Sequence, residues 1–467
     1  MEVGVALRAL KNGAFKVLLF FLLVQSGVLT GGLQAVDKAE DISGKHLTLD
    51  QAVEYGLEHN RDLTAAREQV QAVQQQVVQS KADFFPSVDS GYSVTHLADQ
   101  PFASFGGAPL PGGLSKVPSG YETTSFWTIS LNQPLFTGFG LLSQYQISKM
   151  DLKISEYRLE EVRLNLIRNI RNTFLQVLLT EKLVEVAKDN IERLLVHRRN
   201  AEAYYEQGLT PRNDVLKADV ALAEAKLNER SVTKKLIVLE AQLNQLLYLP
   251  LGMRLDLVDE KAIVRPVPTL EKLYAVSEAR RPEYLSISTS VTRAERAVAA
   301  AQSRYYPHLY AFGQYYREGD DFFAENNIYR NEHNASIGLR MEWNLFEGGK
   351  DLARVREYKY RRRSLEQQRS GLREQIRVQV KDAFEQVQLA EANIETTRVA
   401  LEQAKENERI TALQYKEQLV IFLEVLDARQ AVLQAQVDHY QALYGYMLAW
   451  ADLERAIAGP VPVSGNS

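Results

Sequence analysis

A twelve-residue segment between two long helical patterns occurs twice in this chain, at residues 205–216 and 415–426. In the first copy, Gly208 suits the left-handed conformation in which many helices end. Pro211 cannot continue the incoming helix, but it suits the first turn of a new one. Each copy therefore predicts a tight turn that joins two antiparallel helices.

The turn is part of a duplication that covers nearly the whole chain. Pro86 matches Pro307 at an offset of 221 residues, and Tyr205 matches Tyr415 at an offset of 210. The first half therefore has 11 extra residues (221 − 210), which fall in a Gly- and Pro-rich stretch at 101–120 that predicts a longer loop. The predicted domains are a first repeat at 36–248 with its tip at about 206–212, a linker at 249–268, a second repeat at 269–458 with its tip at about 416–421, and a flexible C-terminal tail at 459–467.

Both halves show the same order of sequence periodicities. Two short helical patterns are followed by an aromatic residue and a proline, where the period changes from 3.6 to 2. The predicted strands are residues 85–97 and 121–136 in the first half, and 306–317 and 334–346 in the second. The predicted long helices are about 139–206 and 350–416, and the predicted return helices are about 212–248 and 420–457. Each long helix would be a rod of roughly 100 Å.

The N-terminus has the pattern of an export signal. Arg8, Lys11 and Lys16 precede an apolar run at 17–29, and small residues follow it. Cleavage after Ala35 would make residues 1–35 a signal peptide. A retained membrane anchor is the competing interpretation, but the apolar run of about 13 residues is shorter than the roughly 20 that span a bilayer.

Several classes of function are not supported by the composition. The chain has no Cys, which excludes disulfides and thiolate metal sites, and its net charge of −4 gives no reason to expect nucleic-acid binding. Its seven His residues lack metal-ligand spacing, and no nucleotide-binding or catalytic motif is present. We therefore expect no enzyme activity, no cofactor and no metal site.

The four predicted strands cannot close a barrel within one chain, since small barrels need about eight strands. An export signal, amphipathic strands and polar loops are typical of outer-membrane barrels, in which every strand edge must be paired. Oligomerisation would supply the missing strands. A periplasmic adaptor and a structural coiled-coil protein are the alternatives, but neither accounts for the four strands between helices.

The ordered set of motifs resembles the TolC family of outer-membrane efflux proteins. Three features of the two halves carry the resemblance, together with the tip sequences. They are the duplicated helix–strand–strand–helix order, an aromatic residue and a proline at the start of the first strand of each half, and the segments that leave the second strand of each half, residues 133–138 and 343–349. The resemblance implies a mainly α protein with a transmembrane β-barrel: a homotrimer with twelve strands in the outer membrane and a long α-helical tunnel in the periplasm. The loops at 96–120 and 317–334 are then expected to face the outside of the cell.

The resemblance also implies a function and partners. It indicates the exit duct of a tripartite efflux or type I secretion system, a passive channel gated at its periplasmic tips. Its partners would be outer-membrane lipid, a periplasmic adaptor protein and an inner-membrane pump. The residues that would contact the adaptor are Gly208, Leu209 and Thr210 in the first tip, and Gln418, Leu419 and Val420 in the second. Gln418 replaces the glycine that is usual in the family, which leaves the role of the second tip open.

Two further sets of residues have counterparts in the resembled family. Tyr415 and Asp214 match a tyrosine and an aspartate that hold the entrance closed, but Val420 stands where the family has an arginine. The alternative for Asp214 is that it only polarises the start of its own helix. Glu424 and Asp427 lie three residues apart and so share one helix face. In a trimer they would form a ring of six carboxylates facing the pore; the alternative is an ordinary solvated surface.

Overall fold

The computed structural model of the protein describes residues 46–104, 116–259 and 264–462. The predicted signal peptide and residues 463–467 of the predicted tail lie outside these ranges. The elements of the first half are β1 (His46–Leu47), α1 (Leu49–His59), α2 (Arg61–Ala82), β2 (Ser87–His96), β3 (Phe102–Ser104), β4 (Lys116–Pro118), β5 (Thr123–Thr137), α3 (Gly140–Glu206) and α4 (Arg212–Leu247). The elements after them are β6 (Asp256–Leu257), α5 (Leu270–Arg280), α6 (Pro282–Gln302), β7 (His308–Gly319), β8 (His333–Glu342), α7 (Lys350–Lys416) and α8 (Phe422–Ala456).

The helices follow the predicted duplication closely. The two long helices, α3 and α7, have 67 residues each, which corresponds to roughly 100 Å. Thr48 caps α1 in a capping box with Gln51, and Asn60 both ends α1 and caps α2. Of the helices in the described residues, none is long and apolar enough to cross a membrane.

The helices pack around two main hydrophobic cores. The first lies between α1, α3 and α4, includes Tyr444 of α8, and contains Phe174 and Leu243. The second lies between α5, α7 and α8 and contains Ile376 and Leu453. On α3, Ile170, Phe174 and Val177 are buried near the middle of the helix, but Leu195 near the tip is 39% exposed. The long helices are therefore held firmly in their middle part and present more apolar surface towards the tips.

Four strands form one antiparallel sheet in the order β2-β5-β7-β8, so the two halves meet where β5 pairs with β7. The fourth strand ends at Glu342, four residues before the predicted end at 346. Its partner strand begins at His308, and the preceding Pro307 has no N–H with which to extend the ladder. The predicted long loop of the first half contains a short hairpin of β3 and β4 that the sequence pattern did not indicate.

The strand register separates the sheet into an apolar face and a more polar one, because residues directly opposite each other share a face. Val88 lies opposite Leu131, which lies opposite Gly313, which in turn lies opposite Ile337. The apolar face includes Val88, Tyr92, Val94, Trp127, Ile129, Leu131, Tyr315, Ile337, Leu339 and Met341. The other face includes Asp89, Ser93, Thr128, Ser130, Asn132, Gln314, Ser336, Arg340 and Glu342, together with Phe126, Phe312 and Tyr316. This pattern is that of a barrel strand with lipid on one side and a polar interior on the other.

Candidate functional site

The two helix tips have the same backbone geometry, although only the first contains glycine. The chain leaves α3 through Gly208, with φ at 71°, and leaves α7 through Gln418, with φ at 59°. The next residue in each tip, Leu209 or Leu419, donates its N–H to the carbonyl five residues earlier at 2.9 Å. This hydrogen bond closes a Schellman turn in both copies. Replacing glycine by Gln418 therefore leaves the shape of the second tip unchanged.

The glycine in the first tip is required by its backbone conformation and not by close packing. No atom lies within 4 Å of the place where a Cβ at Gly208 would stand. A residue with a Cβ in the left-handed region costs roughly 1–2 kcal/mol relative to glycine. The second tip carries this cost at Gln418, so its turn is less stable than that of the first.

A cavity of about 170 Å³ lies between the two tips, and the predicted gate residues line it. Tyr415 packs between Tyr204 and Phe422, with ring centroids 5.8 Å and 5.6 Å away. Its hydroxyl and that of Thr210 are buried without a hydrogen-bond partner among the described residues. Burial, with a smaller contribution from Asp214, raises the pKa of Tyr415 to about 12, so the phenol stays protonated at neutral pH.

The predicted gate pair is thus brought together, but it is not joined by a hydrogen bond in the part of the chain that the structure describes. Asp214 and Tyr415 both line the cavity, and Val420 lines it too. No Lys or Arg is among the lining residues; Arg212 is exposed at the start of α4, and Lys217 is half-buried further along it. The position of the family's arginine is therefore apolar in this chain, and neither nearby cation replaces it.

The two predicted ring acids lie on one exposed face of α8, one turn beyond the second tip. Glu424 and Asp427 are exposed, whereas Val425 and Ala428, which follow them in the chain, are buried. Within the described ranges, neither carboxylate has a Lys, Arg or His nitrogen within 4 Å. In the first half, Lys217 occupies the position that corresponds to Asp427.

The remaining tip residues present apolar side chains to the surroundings. Leu209 is 49% exposed and Leu419 is 74% exposed, and Ile421 beside them is 63% exposed. Gly208 and Gln418 are exposed as well, whereas Thr210 and Val420 turn partly inwards. Exposed apolar side chains at the end of a helical hairpin are typical of a surface that binds another protein.

One charged residue near the tips was missed by the sequence patterns. Arg429 on α8 has a side chain only 3% exposed, and it connects three helices. It donates to Asp189 at 2.9 Å and to Asn190 at 3.1 Å, both on α3, and to Glu408 on α7 at 3.4 Å. The hub formed by these four residues ties the second helical hairpin to the first.

A signal for this hub is present in the sequence. Val425, Arg429 and Val432 share one face of α8, and all three are buried. An arginine in the middle of an apolar helix face indicates a buried ion pair, because an unpaired charge would be very costly there. The pattern does not reveal the partners: Asp189 and Asn190 lie about 240 residues earlier in the chain, and Glu408 lies 21 residues earlier.

The hub also determines how the neighbouring groups titrate. Burial alone would raise the pKa of Asp189, but the hydrogen bonds from Arg193 and Arg429 outweigh it and hold that pKa below its usual value. Burial lowers the pKa of His197; Glu408 opposes this shift, and Arg429 and Arg193 reinforce it. Both groups therefore bind protons less tightly in the folded protein than in the unfolded chain. Because acid favours the form that binds more protons, these two groups make the folded protein more stable at neutral pH than in acid.

No group of three or more His, Cys, Asp or Glu side chains in the described ranges is arranged to hold a metal ion.

The first prediction concerns the cost of the left-handed turns. Gln418→Gly is expected to stabilise the second tip by about 1 kcal/mol, and Gly208→Ala to destabilise the first by about the same amount. Hydrogen exchange of the tip amides measures both changes as free energies of local opening.

Gly371→Ala is the matched control, because Gly371 lies within α7 and has nothing within 4 Å of its missing Cβ. This change should stabilise its helix by up to about 1 kcal/mol. Faster exchange at the second tip of Gln418→Gly would show that the left-handed turn carries no strain there.

The second prediction concerns Arg429. Arg429→Met should destabilise the packing of α8 on α3 by roughly 1–3 kcal/mol, because Asn190 and Glu408, which are largely buried, lose their donor. Arg193→Met, at an ion pair whose arginine is 54% exposed, should cost at most about 1 kcal/mol. Hydrogen exchange of the α8 amides distinguishes the two outcomes.

Acidification provides a second measurement of the same hub. Protection of α8 should begin to fall as the pH drops below about 6.5, where an unfolded histidine binds its proton. It should fall further where Asp189 is protonated in the folded state.

Equal effects of Arg429→Met and Arg193→Met on the exchange of the α8 amides would contradict the role assigned to the hub.

The chain is similar over most of its length to proteins that form outer-membrane channels. Residues 53–247 and 273–459 match the family model described as outer membrane efflux protein. The alkaline protease secretion protein AprF of Pseudomonas aeruginosa is 24% identical over 333 residues, which cover 70% of this chain and 68% of AprF. The outer membrane efflux protein BepC of Brucella suis biovar 1 is 20% identical over 415 residues, which cover 86% of this chain and 83% of BepC.

Solved structures give the same fold. The CmeC outer membrane channel of Campylobacter jejuni superposes with a TM-score of 0.75 at 17% identity, covering 90% of this chain and 87% of CmeC.

Proposed function

We propose that this chain, which belongs to the outer membrane efflux protein family, receives its substrate at the helix tips from a periplasmic adaptor and an inner-membrane pump. The protein lies in the outer membrane and is the passive exit duct of an export system. The proposal rests on one observation: a sheet with one apolar face is connected to helices of roughly 100 Å, and these helices end in exposed apolar tips. Such a chain is suited to crossing both the outer membrane and much of the periplasm.

The unpaired edges of the sheet support a homotrimer. Strands β2 and β8 are the edges of the sheet, and nearly all of their residues are exposed. Backbone groups cannot remain unpaired in hydrocarbon, so these edges require strands from other copies. Three copies would close a barrel of twelve strands (3 × 4), which is within the range of outer-membrane barrels.

The tips are the surface that would bind the adaptor. Leu209, Leu419 and Ile421 are exposed there, and hydrophobic side chains of this kind are usual at the centre of protein interfaces. Both tips would contribute, since their backbones have the same shape.

The third prediction tests the adaptor surface. Leu419→Asp should reduce export at least tenfold, because a buried charge at an interface costs more than about 1.4 kcal/mol. Export and oligomer formation should be measured in the same cells.

Leu251→Asp is the matched control, since Leu251 is 63% exposed in the turn after α4 and far from the tips in the helical hairpin. Normal export by Leu419→Asp with an intact oligomer would remove this tip from the adaptor surface.

The fourth prediction concerns the pore. If Glu424 and Asp427 face the axis of a trimer, six carboxylates should make the entrance selective for cations and allow multivalent cations to block it from the periplasmic side. The double change Glu424→Ala with Asp427→Ala should lower the selectivity and relieve the block. Single-channel recordings measure both effects, which should weaken with salt.

Removal of Glu58 and Asp62, two exposed acids on α1 and α2, gives the same charge change far from the tips and should have no effect.

The same recordings test the gate: Tyr415→Phe should raise the conductance and leave the block unchanged, if Tyr415 and Asp214 hold the entrance closed. Wild-type selectivity and block in the double alanine variant would place the acids on an outer, solvated face.

A further inference from the structure

The loop between β7 and β8 covers polar residues on the apolar face of the sheet. Residues 320–328 of this loop are called the flap here. Arg317 pairs in register with Trp127 and therefore lies on the apolar face, near its outer end. Ser125 lies on the same face, opposite Gly319, yet it is only 3% exposed. The charged side chain of Arg317 and the hydroxyl of Ser125 thus lie on the face that would contact lipid, and the loop covers both.

Contacts at Gly319 show that the flap lies on this side of the sheet. A Cβ added to Gly319 would stand 1.8 Å from the carbonyl oxygen of Glu325. Because Gly319 follows Arg317 by two residues, its missing side chain would point to the apolar face. The backbone of the flap therefore fills that space directly.

Hydrogen bonds and an ion pair hold the flap against the strands. Arg317 pairs with Glu325 at 2.5 Å, and Asp321 accepts from the N–H of Glu325 at 2.6 Å. Tyr92, another residue of the apolar face, donates its hydroxyl to the carbonyl of Phe322 at 2.8 Å, and the two rings lie 5.6 Å apart. The flap is thus an ordered covering and does not project away from the strand ends.

The outer surface of the flap carries two neighbouring aromatic side chains. Phe322 is 73% exposed and Phe323 is 56% exposed, with their ring centroids 5.5 Å apart. They lie over the part of the face where the strands themselves contribute Arg317 and Ser125. The flap therefore covers a polar patch with hydrophobic side chains, which adjoin Tyr92 of the apolar face.

We propose that the flap is a membrane-embedded part of the barrel wall, whose Phe322 and Phe323 insert among the acyl chains of the outer leaflet. The proposal rests on the membrane-spanning sheet of the proposed function. It changes the expectation that the whole of 317–334 faces the outside of the cell. Aromatic side chains are favoured at the ends of a barrel's hydrophobic band; here the loop supplies them and conceals the arginine.

The natural absence of Cys allows the proposal to be tested with single spin labels. Full-length Phe322→Cys, carrying a nitroxide and reconstituted into phosphatidylcholine vesicles, should collide more with oxygen, which concentrates in lipid, than with a water-soluble nickel complex. Leu339→Cys on the apolar face of β8 should behave likewise. Leu419→Cys at the helix tip should show the opposite preference.

A second pair of variants tests whether the flap packing is responsible. Gly319→Ala, added to Phe322→Cys, should displace the flap and reverse the preference at position 322 towards the nickel complex. Gly313→Ala is the matched control: it lies on the same face of the same strand, and its added Cβ would meet no atom closer than 4.0 Å. It should leave the preference at position 322 unchanged.

The possible results test the flap and the membrane-spanning sheet separately. If position 322 behaves as position 419 does while position 339 is in lipid, the flap is in water and the proposal is wrong. If neither reagent reaches position 322, protein from another copy covers it, which also overturns the proposal. If position 339 is not in lipid, the membrane-spanning sheet fails, and the flap proposal fails with it.

Discussion

The pairing of backbone groups at the strand edges is the constraint on which the rest of the structure depends. In this four-stranded sheet, the backbone groups of β5 and β7 are paired on both sides, but β2 and β8 each keep one unpaired edge. In the oligomer that we propose, other copies of the chain close these edges. In such a shared barrel, the helices that follow each strand pair would be arranged around a common axis and would form a tunnel.

Charged groups, in contrast, hold the helices in place against each other. Near the tips, Arg429 joins α8 to α3 and α7. At the other end of α8, Arg455 contacts Glu283 at 2.6 Å, and the buried Arg281 pairs with the same glutamate at 3.0 Å. Buried ion pairs add little net stability, but they tolerate few alternative arrangements. The helices are thus fixed at two levels, while the tips beyond Arg429 keep exposed apolar surface.

Particular residues show where sequence patterns were sufficient and where they were not. The order and length of the helices were predicted to within a few residues, because the apolar period is local information. Gln418 has the same left-handed conformation as Gly208 although its side chain disfavours it, since the packing of α7 against α8, which the turn joins, fixes the turn. Residues 343–345 continue the alternating pattern but are not in the strand, because Pro307 ends the ladder across from them.

The sequence alone determined that the chain is a duplication of helix, strand pair and long helix hairpin, and that Tyr415, Asp214 and the acidic pair lie beside its tips. It left the faces of β7 undetermined, because aromatic residues occupy both of them. Only the tertiary structure assigned those faces, brought Arg429 to Asp189 and folded Phe322 over the apolar side of the sheet. Each of these depends on contacts between residues far apart in the chain. Such contacts follow from how the elements pack, which a local period does not contain.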